Sequence, residues 1–286
     1  MDIQWYPGHM VKTKNVIREN MKLVDIVLEL TDARAPLSTH IPDINNLTGN
    51  RDIVMVLNKA DLADKKITDL WIKYFKKQGV RVIAVDTLRK SGFKKLYNLI
   101  RSANKKTMIS PIRCMVIGVP NVGKSSLINQ MAGRKSVRTA DTPGITRSKM
   151  WLKVDSILEL LDTPGILWPK FEDRAVGIKL AILGSIKPEL LNFEQLSVAL
   201  LKYLSVKYPH SLKARYNVDP DMSPMGILEK IAQHRGFLAA GGNLNIDRSA
   251  KTLIHEFRQG VLGGVSLEKP EEKGGFWDKI SNQDIV

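Results

Sequence analysis

Three short apolar runs, Ile53-Val54-Met55-Val56-Leu57, Ile112 to Ile117 and Ile157-Leu158-Glu159-Leu160-Leu161, each break off at a polar signature. Nearly continuous apolar runs of this length are the pattern of strands buried on both faces. Such strands lie parallel under helices, and ligands gather where their carboxyl ends open. The signatures are Asn58-Lys59-Ala60-Asp61, then Gly118-Val119-Pro120-Asn121-Val122-Gly123-Lys124-Ser125, then Asp162-Thr163-Pro164-Gly165. The expected class is α/β, a mostly parallel sheet with helices on both faces, followed by a small all-α region.

Each signature has a chemical reading. The middle one follows G-x-x-x-x-G-K-[ST], in which backbone N–H groups wrap phosphates. Lys124 is placed to reach the β and γ phosphates and Ser125 to ligate Mg²⁺, while Asn121, Val122, Gly123 and Ser126 complete the cradle. The helix opening at Lys124 points its positive end at the same anion. A carboxylate at Asp61 accepts both the ring N–H and the exocyclic amino group of guanine. Adenine offers no such pair, so GTP and GDP are favoured over ATP. Asn58, Lys59 and Ala60 carry that carboxylate at the strand end. Asp162 is expected to hold Mg²⁺ through water, and the Gly165 amide to face the γ-phosphate. Thr146 is the hydroxyl expected to close over Mg²⁺, with Thr142 its rival. A backbone amide for guanine O6 should follow the strand at 80–85, which places it at Asp86-Thr87.

In the common guanine-nucleotide arrangement the phosphate loop comes first and the base-reading motif last. Here the order is rotated, and the chain reads as a circularly permuted P-loop GTPase domain.

Strands are expected at 24–30, 52–57, 80–85, 112–118, 150–154 and 157–161. Helices are expected at 11–23 (with Val16, Ile17 and Met21 inward), 64–77 (with Leu70, Ile72, Tyr74 and Phe75), 92–101 and 124–132. Beyond Pro169 only helical periodicity remains, at about 173–184, 194–206, 224–235 and 247–259. This divides the chain into a GTPase domain at 1–175, with an N-terminal extension, and a helical RNA-binding domain at 176–286. The tail from Gly260 is expected to be loosely ordered.

The 286 residues carry a net charge of +15, large for an enzyme of small molecules, which suggests a polyanion, with nucleic acid the leading class. Residues 1–179 hold 31 Lys and Arg against 17 Asp and Glu, and the remainder 13 against 12. The surplus therefore belongs to the nucleotide-binding part. In the helical part, Arg248, Lys251, His255 and Arg258 share one helix face, with Tyr203, Tyr208 and Tyr216 offered as stacking partners. Cys114 is the single cysteine, which excludes an intrachain disulfide and a multi-cysteine metal site. The longest apolar runs fall far short of the ~18 residues that span a bilayer. A cytoplasmic, monomeric protein without a membrane span is expected.

Many GTPases place Gln after Asp-x-x-Gly to orient the attacking water; this chain has Ile166. His9 is a candidate for that task, and a structural or partner-facing His9 is the alternative. The Asn121 side chain is a candidate ligand for K⁺ beside the phosphates.

The rotated order, together with Trp5-Tyr6-Pro7-Gly8-His9-Met10, Asp32-Ala33-Arg34-Ala35-Pro36 and the three signatures, resembles the ribosome biogenesis GTPase A family of bacteria. The resemblance implies late assembly of the large ribosomal subunit, rRNA contact by the helical domain, and hydrolysis stimulated by the ribosomal particle. It also implies a catalytic role for His9 and an apolar residue at the glutamine position, here Ile166. Asp86-Thr87 departs from the Asn-Ser or Ser-Ala more usual at that place. A regulatory GTPase acting on a protein or anionic membrane surface, without RNA, is the alternative, and a nucleotide-gated module with negligible turnover is a further one.

Overall fold

A computed structural model describes residues 9–42, 44–49, 51–104, 110–133, 150–167, 173–270 and 276–277. Among them, β1 (Ile26–Asp32), β2 (Asp52–Asn58), β3 (Arg81–Ala84), β4 (Ile112–Gly118), β5 (Met150–Lys153) and β6 (Leu158–Asp162) form one sheet in the order β3-β2-β1-β4-β6-β5. Every neighbouring pair is parallel except β5 with β6. Because β2, β4 and β6 point the same way, the three polar signatures leave the sheet at one edge. The register sets Asp32 beside Asn58, Leu30 beside Gly118, and Val116 beside Asp162.

The helices are α1 (His9–Asn20), α2 (Ile44–Thr48), α3 (Lys65–Lys77), α4 (Phe93–Ala103), α5 (Lys124–Met131), α6 (Arg174–Leu183), α7 (Phe193–Lys207), α8 (Pro209–Tyr216), α9 (Pro224–Arg235) and α10 (Ile246–Arg258). Local chemistry sets several ends. Asp64 caps α3 by accepting from the Lys66 amide at 2.8 Å. Ser223 caps α9, with Pro224 at its first turn. Two helices were not expected. One is α2, which is too short to show periodicity. The other is α8, which starts afresh because Pro209 cannot donate the hydrogen bond that would prolong α7.

All seven residues of β1 are buried, as a central parallel strand requires. Trp71 and Phe75 of α3 pack with Met55, Leu57 and Val82 on one face. Leu96 and Ile100 of α4 and Leu127 and Ile128 of α5 pack with Leu28, Val54 and Val116 on the other. That second cluster runs on through Ala175 and Ile178 to Leu200, Leu253 and Phe257, so the sheet and the helical region share apolar contact.

The stretch from Gly260 corrects the expectation of a loose tail over its first eleven residues. Val265 donates to Leu62 O at 3.1 Å and Leu267 to Arg34 O at 2.7 Å, laying the chain along the loops after β1 and β2. The Glu268 carboxylate accepts from the Leu37 amide at 2.8 Å, the Ser38 amide at 3.0 Å and the Ser38 hydroxyl, and meets Lys179 Nζ at 2.9 Å. Trp71 Nε1 donates to Glu268 O at 3.2 Å. Trp277 stacks on Tyr203, with centroids 4.8 Å apart, and donates to Leu267 O. A few apolar anchors inside a Gly-, Glu- and Lys-rich composition outweigh that composition. Residues 271–275 and 278–286 lie outside the described residues.

Candidate functional site: a phosphate loop braced by a base-reading loop

The loop between β4 and α5 is held from both sides. Asn58 Nδ2 donates to Val122 O at 2.7 Å, and Lys59 Nζ donates to Asn121 O at 2.6 Å. A Cβ at Gly123, where φ is 96°, would run into Asn58 Nδ2, so glycine is needed there for backbone angle and for space. The first and second signatures, about sixty residues apart in the chain, thus form one wall. Thr87 joins it by donating its hydroxyl to Asn58 Oδ1 at 2.7 Å, which fixes the orientation of that amide.

Lys124 opens α5 and is only 7% exposed. Its ammonium donates to Gly118 O at 3.1 Å and Val119 O at 3.0 Å. Burial lowers its pKa to about 8, with Asp162 opposing that shift and Lys59 adding to it. A buried ammonium surrounded by carbonyls is poised for an anion. Ser125 Oγ donates to Asp162 Oδ2 at 3.0 Å, which brings the second and third signatures into contact. A hydroxyl and a carboxylate side by side fit Mg²⁺, a hard cation that takes one or two protein oxygens and completes its shell with water and phosphate. Among the described residues there is no cluster of three or more His, Cys, Asp or Glu that would hold a metal by protein alone.

Gly165 packs so closely on Pro120 that a Cβ would lie 2.8 Å from the Pro120 nitrogen. Ile166 donates its amide to Gly118 O at 3.1 Å, while its side chain is buried with Met115, Ile117 and Leu161. The residue after Asp-x-x-Gly is therefore core, with no part in positioning water. Thr163 is buried and donates to Val116 O, a structural task.

Asp61 lies at the same edge, its pKa raised by burial first and then by the charge of Asp86. Ala60 donates to Val85 O at 3.2 Å, which ties the base-reading loop to the strand beside it. Asp86 has local partners. Its amide donates to Ser91 O at 3.1 Å and its carboxylate accepts from the Arg89 amide at 2.9 Å, so it builds its own turn. Ser126 is half-buried in the first turn of α5. Thr146 and Thr142 lie outside the described residues. His9 opens α1 as backbone, and its side chain lies outside the described residues.

The motif Asp32-Ala33-Arg34 supplies a part that the sequence reading left without a role. Arg34, 1% exposed, grips Asp32 with two hydrogen bonds, Nε to Oδ1 at 2.9 Å and Nη2 to Oδ2 at 2.7 Å. Asp32 also meets Lys59 Nζ at 3.4 Å. Burial alone would raise the Asp32 pKa, but the charges and hydrogen bonds of Arg34 and Lys59 hold it well below the usual carboxylate range. Lys59 is thereby fixed between Asp32 and the phosphate loop. An Asp-x-Arg directly after an apolar run was the available signal.

The helical region touches the same loop. Asn121 Nδ2 donates to Gly184 O at 2.6 Å and Ser185 Oγ to Pro120 O at 2.8 Å. Arg258 donates to Ala181 O and Ile182 O, capping α6. Arg258 therefore leaves the exposed basic face expected for α10. Tyr203, Tyr208 and Tyr216 are buried, with hydroxyls on Ser266 O and Glu256, which removes them as stacking platforms.

A family model described as a 50S ribosome-binding GTPase matches residues 113–200. The protein named Ribosome biogenesis GTPase A from Bacillus cereus is 42% identical, over 96% of this chain and 96% of that one. Its namesake from Bacillus pumilus is 42% identical over 95% of this chain and all of that one. The GNP-bound crystal structure of YlqF from T. maritima superposes with a TM-score of 0.68 at 29% identity, covering 91% of this chain and 99% of that one. With a permuted α/β nucleotide site and relatives matching along nearly the whole length, the chain is a GTP-hydrolysing enzyme and belongs to the ribosome biogenesis GTPase A family.

Proposed function

We propose that this GTPase binds the maturing large ribosomal subunit and its rRNA in the GTP state, hydrolyses GTP faster on that particle, and is released afterwards. The observation that carries this reading is the 42% identity, across 96% of both chains, to a relative named for ribosome biogenesis. A net charge of +15 suits a polyanionic partner. No helix among the described residues is long and apolar enough to cross a membrane. In this reading the protein works as a monomer in the cytoplasm, and residues 176–286 contribute rRNA contacts through exposed Lys213, Lys230, Arg248, Lys251 and His255.

Asp61 selects guanine, the loop amides and Lys124 hold the phosphates, and Gly165, packed on Pro120, stands where a γ-phosphate is sensed. Ser125, Thr146 and, through water, Asp162 would hold Mg²⁺, which would supply positive charge to the phosphate oxygens. Ile166 is buried, so another group orients the attacking water; His9 is assigned that part. Asn121 is assigned as a K⁺ ligand. Asn121 and Ser185 join the phosphate loop to the end of α6, so a change at the γ-phosphate reaches the helical region through two hydrogen bonds.

Sedimentation with large-subunit precursors in GDP, GTP and a non-hydrolysable analogue tests the proposal, with phosphate release followed in K⁺ and in Na⁺. The expected result is pelleting with the analogue and not with GDP, and particle-accelerated release that is faster in K⁺. Equal pelleting in all states, or none, contradicts it. Binding to anionic vesicles in place of particles would favour a membrane-surface GTPase.

A further inference from the structure

Residues 64–103 hold eleven Lys and Arg against three Asp and Glu, a net +8 of the chain's +15 in one seventh of its length. All eleven are exposed, whereas Asp86 is buried and Asp64 is engaged as the cap of α3. These residues make up α3, β3 and α4, the flank at one edge of the sheet. The strand β3 runs parallel to β2, so the start of α3, the 86–91 turn and the start of α4 all sit at the carboxyl edge, beside the base-reading loop. There Lys65, Lys66, Arg89, Lys90, Lys94 and Lys95 form a basic rim. Lys65 pairs with Asp69 at 3.3 Å and Arg89 lies 3.9 Å from Asp86. Among the described residues no carboxylate lies within ion-pair distance of Lys66, Lys90, Lys94 or Lys95.

Two bland readings compete with a binding role. Lysines commonly guard an exposed edge strand against pairing, but these sit on helices and a turn, and only Arg81 lies on β3 itself. A solvated basic face is the other, and the helical region shows what such a face looks like when its cations are committed. Arg215 and Arg235 both grip Glu256, Arg258 caps α6, Lys179 meets Glu268 and Lys251 meets Asp247. At the rim, four exposed cations, Lys66, Lys90, Lys94 and Lys95, stand close together without such a commitment among the described residues.

We propose that this rim is an RNA-backbone interface, at which phosphates lie across the starts of α3 and α4 next to the guanine-reading loops. The proposal deepens the rRNA reading above and rests on it. Its position carries a consequence: the turn bearing Arg89 and Lys90 also bears Thr87, whose hydroxyl orients Asn58 against the phosphate loop. RNA on the rim and nucleotide in the cleft therefore share one turn.

The test compares two variants that lose the same charge. One carries Lys66→Gln, Lys94→Gln and Lys95→Gln at the rim; the other carries Arg18→Gln, Lys22→Gln and Lys153→Gln, exposed basic side chains elsewhere on the chain. Binding of each full-length chain, with non-hydrolysable GTP analogue, to purified large-subunit precursors and to rRNA is measured from 50 to 300 mM KCl. Each lost phosphate contact removes roughly 0.7 to 0.9 from the slope of log K against log salt. The rim variant should lose about two units of slope and roughly tenfold or more in affinity near 150 mM salt, while the second variant stays close to wild type. Equal losses in both variants would mean that net charge alone matters, and no loss at the rim would exclude RNA there; either overturns the interface. If wild type itself binds neither particle nor RNA, the broader rRNA reading fails instead. A reactivity footprint of the wild-type chain needs no substitution: Lys66, Lys94 and Lys95 should be shielded from an amine reagent when particles are bound, and unchanged reactivity would contradict the proposal.

Discussion

Replacing Arg34 by Ala should destabilise the protein by about 3 to 5 kcal/mol, because it strands the Asp32 carboxylate in the interior. Both side chains are 1% exposed, and two hydrogen bonds of 2.9 and 2.7 Å join them. The guanidinium also lies over the Phe257 ring at 5.2 Å and donates at 3.4 Å to the carbonyls of Phe257 and Arg258. Its loss therefore loosens α10 as well as the loop after β1. The pair is separable by a double change. Asp32→Asn with Arg34→Met removes both charges, and should recover much of the stability lost by Arg34→Ala while leaving Lys59 without its carboxylate partner. Urea unfolding of the three proteins checks this. A single variant that melts like wild type would show that the buried pair adds nothing to the fold.

Lys124→Ala should lower GTP turnover by about 10² to 10³, or roughly 2.7 to 4 kcal/mol in activation free energy, as expected when one preorganised donor is taken from a developing phosphate charge. The effect should appear at saturating GTP as well as at low GTP, since the ammonium acts on charge that develops only in the transition state. Single-turnover phosphate release separates this from weaker binding. A variant that turns over at the wild-type rate would remove Lys124 from the chemistry.

The sheet was legible because its evidence is local. Buried parallel strands announce themselves as apolar runs, and the signatures at their ends fell where expected, with β2, β4 and β6 each within a residue or two of the expected bounds. The opening of α5 at Lys124 was legible for the same reason, as strand, glycine-rich turn and helix are consecutive. Helix faces were read less well. Ile17 is fully buried as expected, but α3 turns Trp71 inward and leaves Leu70 exposed, because an aromatic ring beside Phe75 covers more of β2 and β3 than a leucine does.

What escaped was long-range. The hydrogen bonds from Arg34 to Phe257, from Asn121 to Gly184 and from the Leu37 amide to Glu268 span gaps from about sixty to more than two hundred residues. No periodicity records which carbonyl a guanidinium will find. The tyrosines misled for a related reason. An aromatic with a hydroxyl suits a base-stacking surface or a core with one polar partner equally well, and Ser266 O and Glu256 supply that partner here. Asp86 was expected to offer its amide to a base, and only coordinates reveal that this amide is paired with Ser91 O.

The account rests on a single cleft that reads guanine at one end and phosphate at the other. Calorimetric titration of GDP and of xanthosine diphosphate into wild type, Asp61→Asn and Lys124→Ala measures this directly. Wild type should bind one GDP and discriminate strongly against xanthine. Asp61→Asn should lose affinity for GDP by about 10² or more while gaining for the xanthine nucleotide, since its new amide suits a carbonyl where guanine has an amino group. Lys124→Ala should weaken both ligands alike. If Asp61→Asn keeps the wild-type preference for GDP, or if the two substitutions act on separate binding events, the three signatures do not enclose one nucleotide.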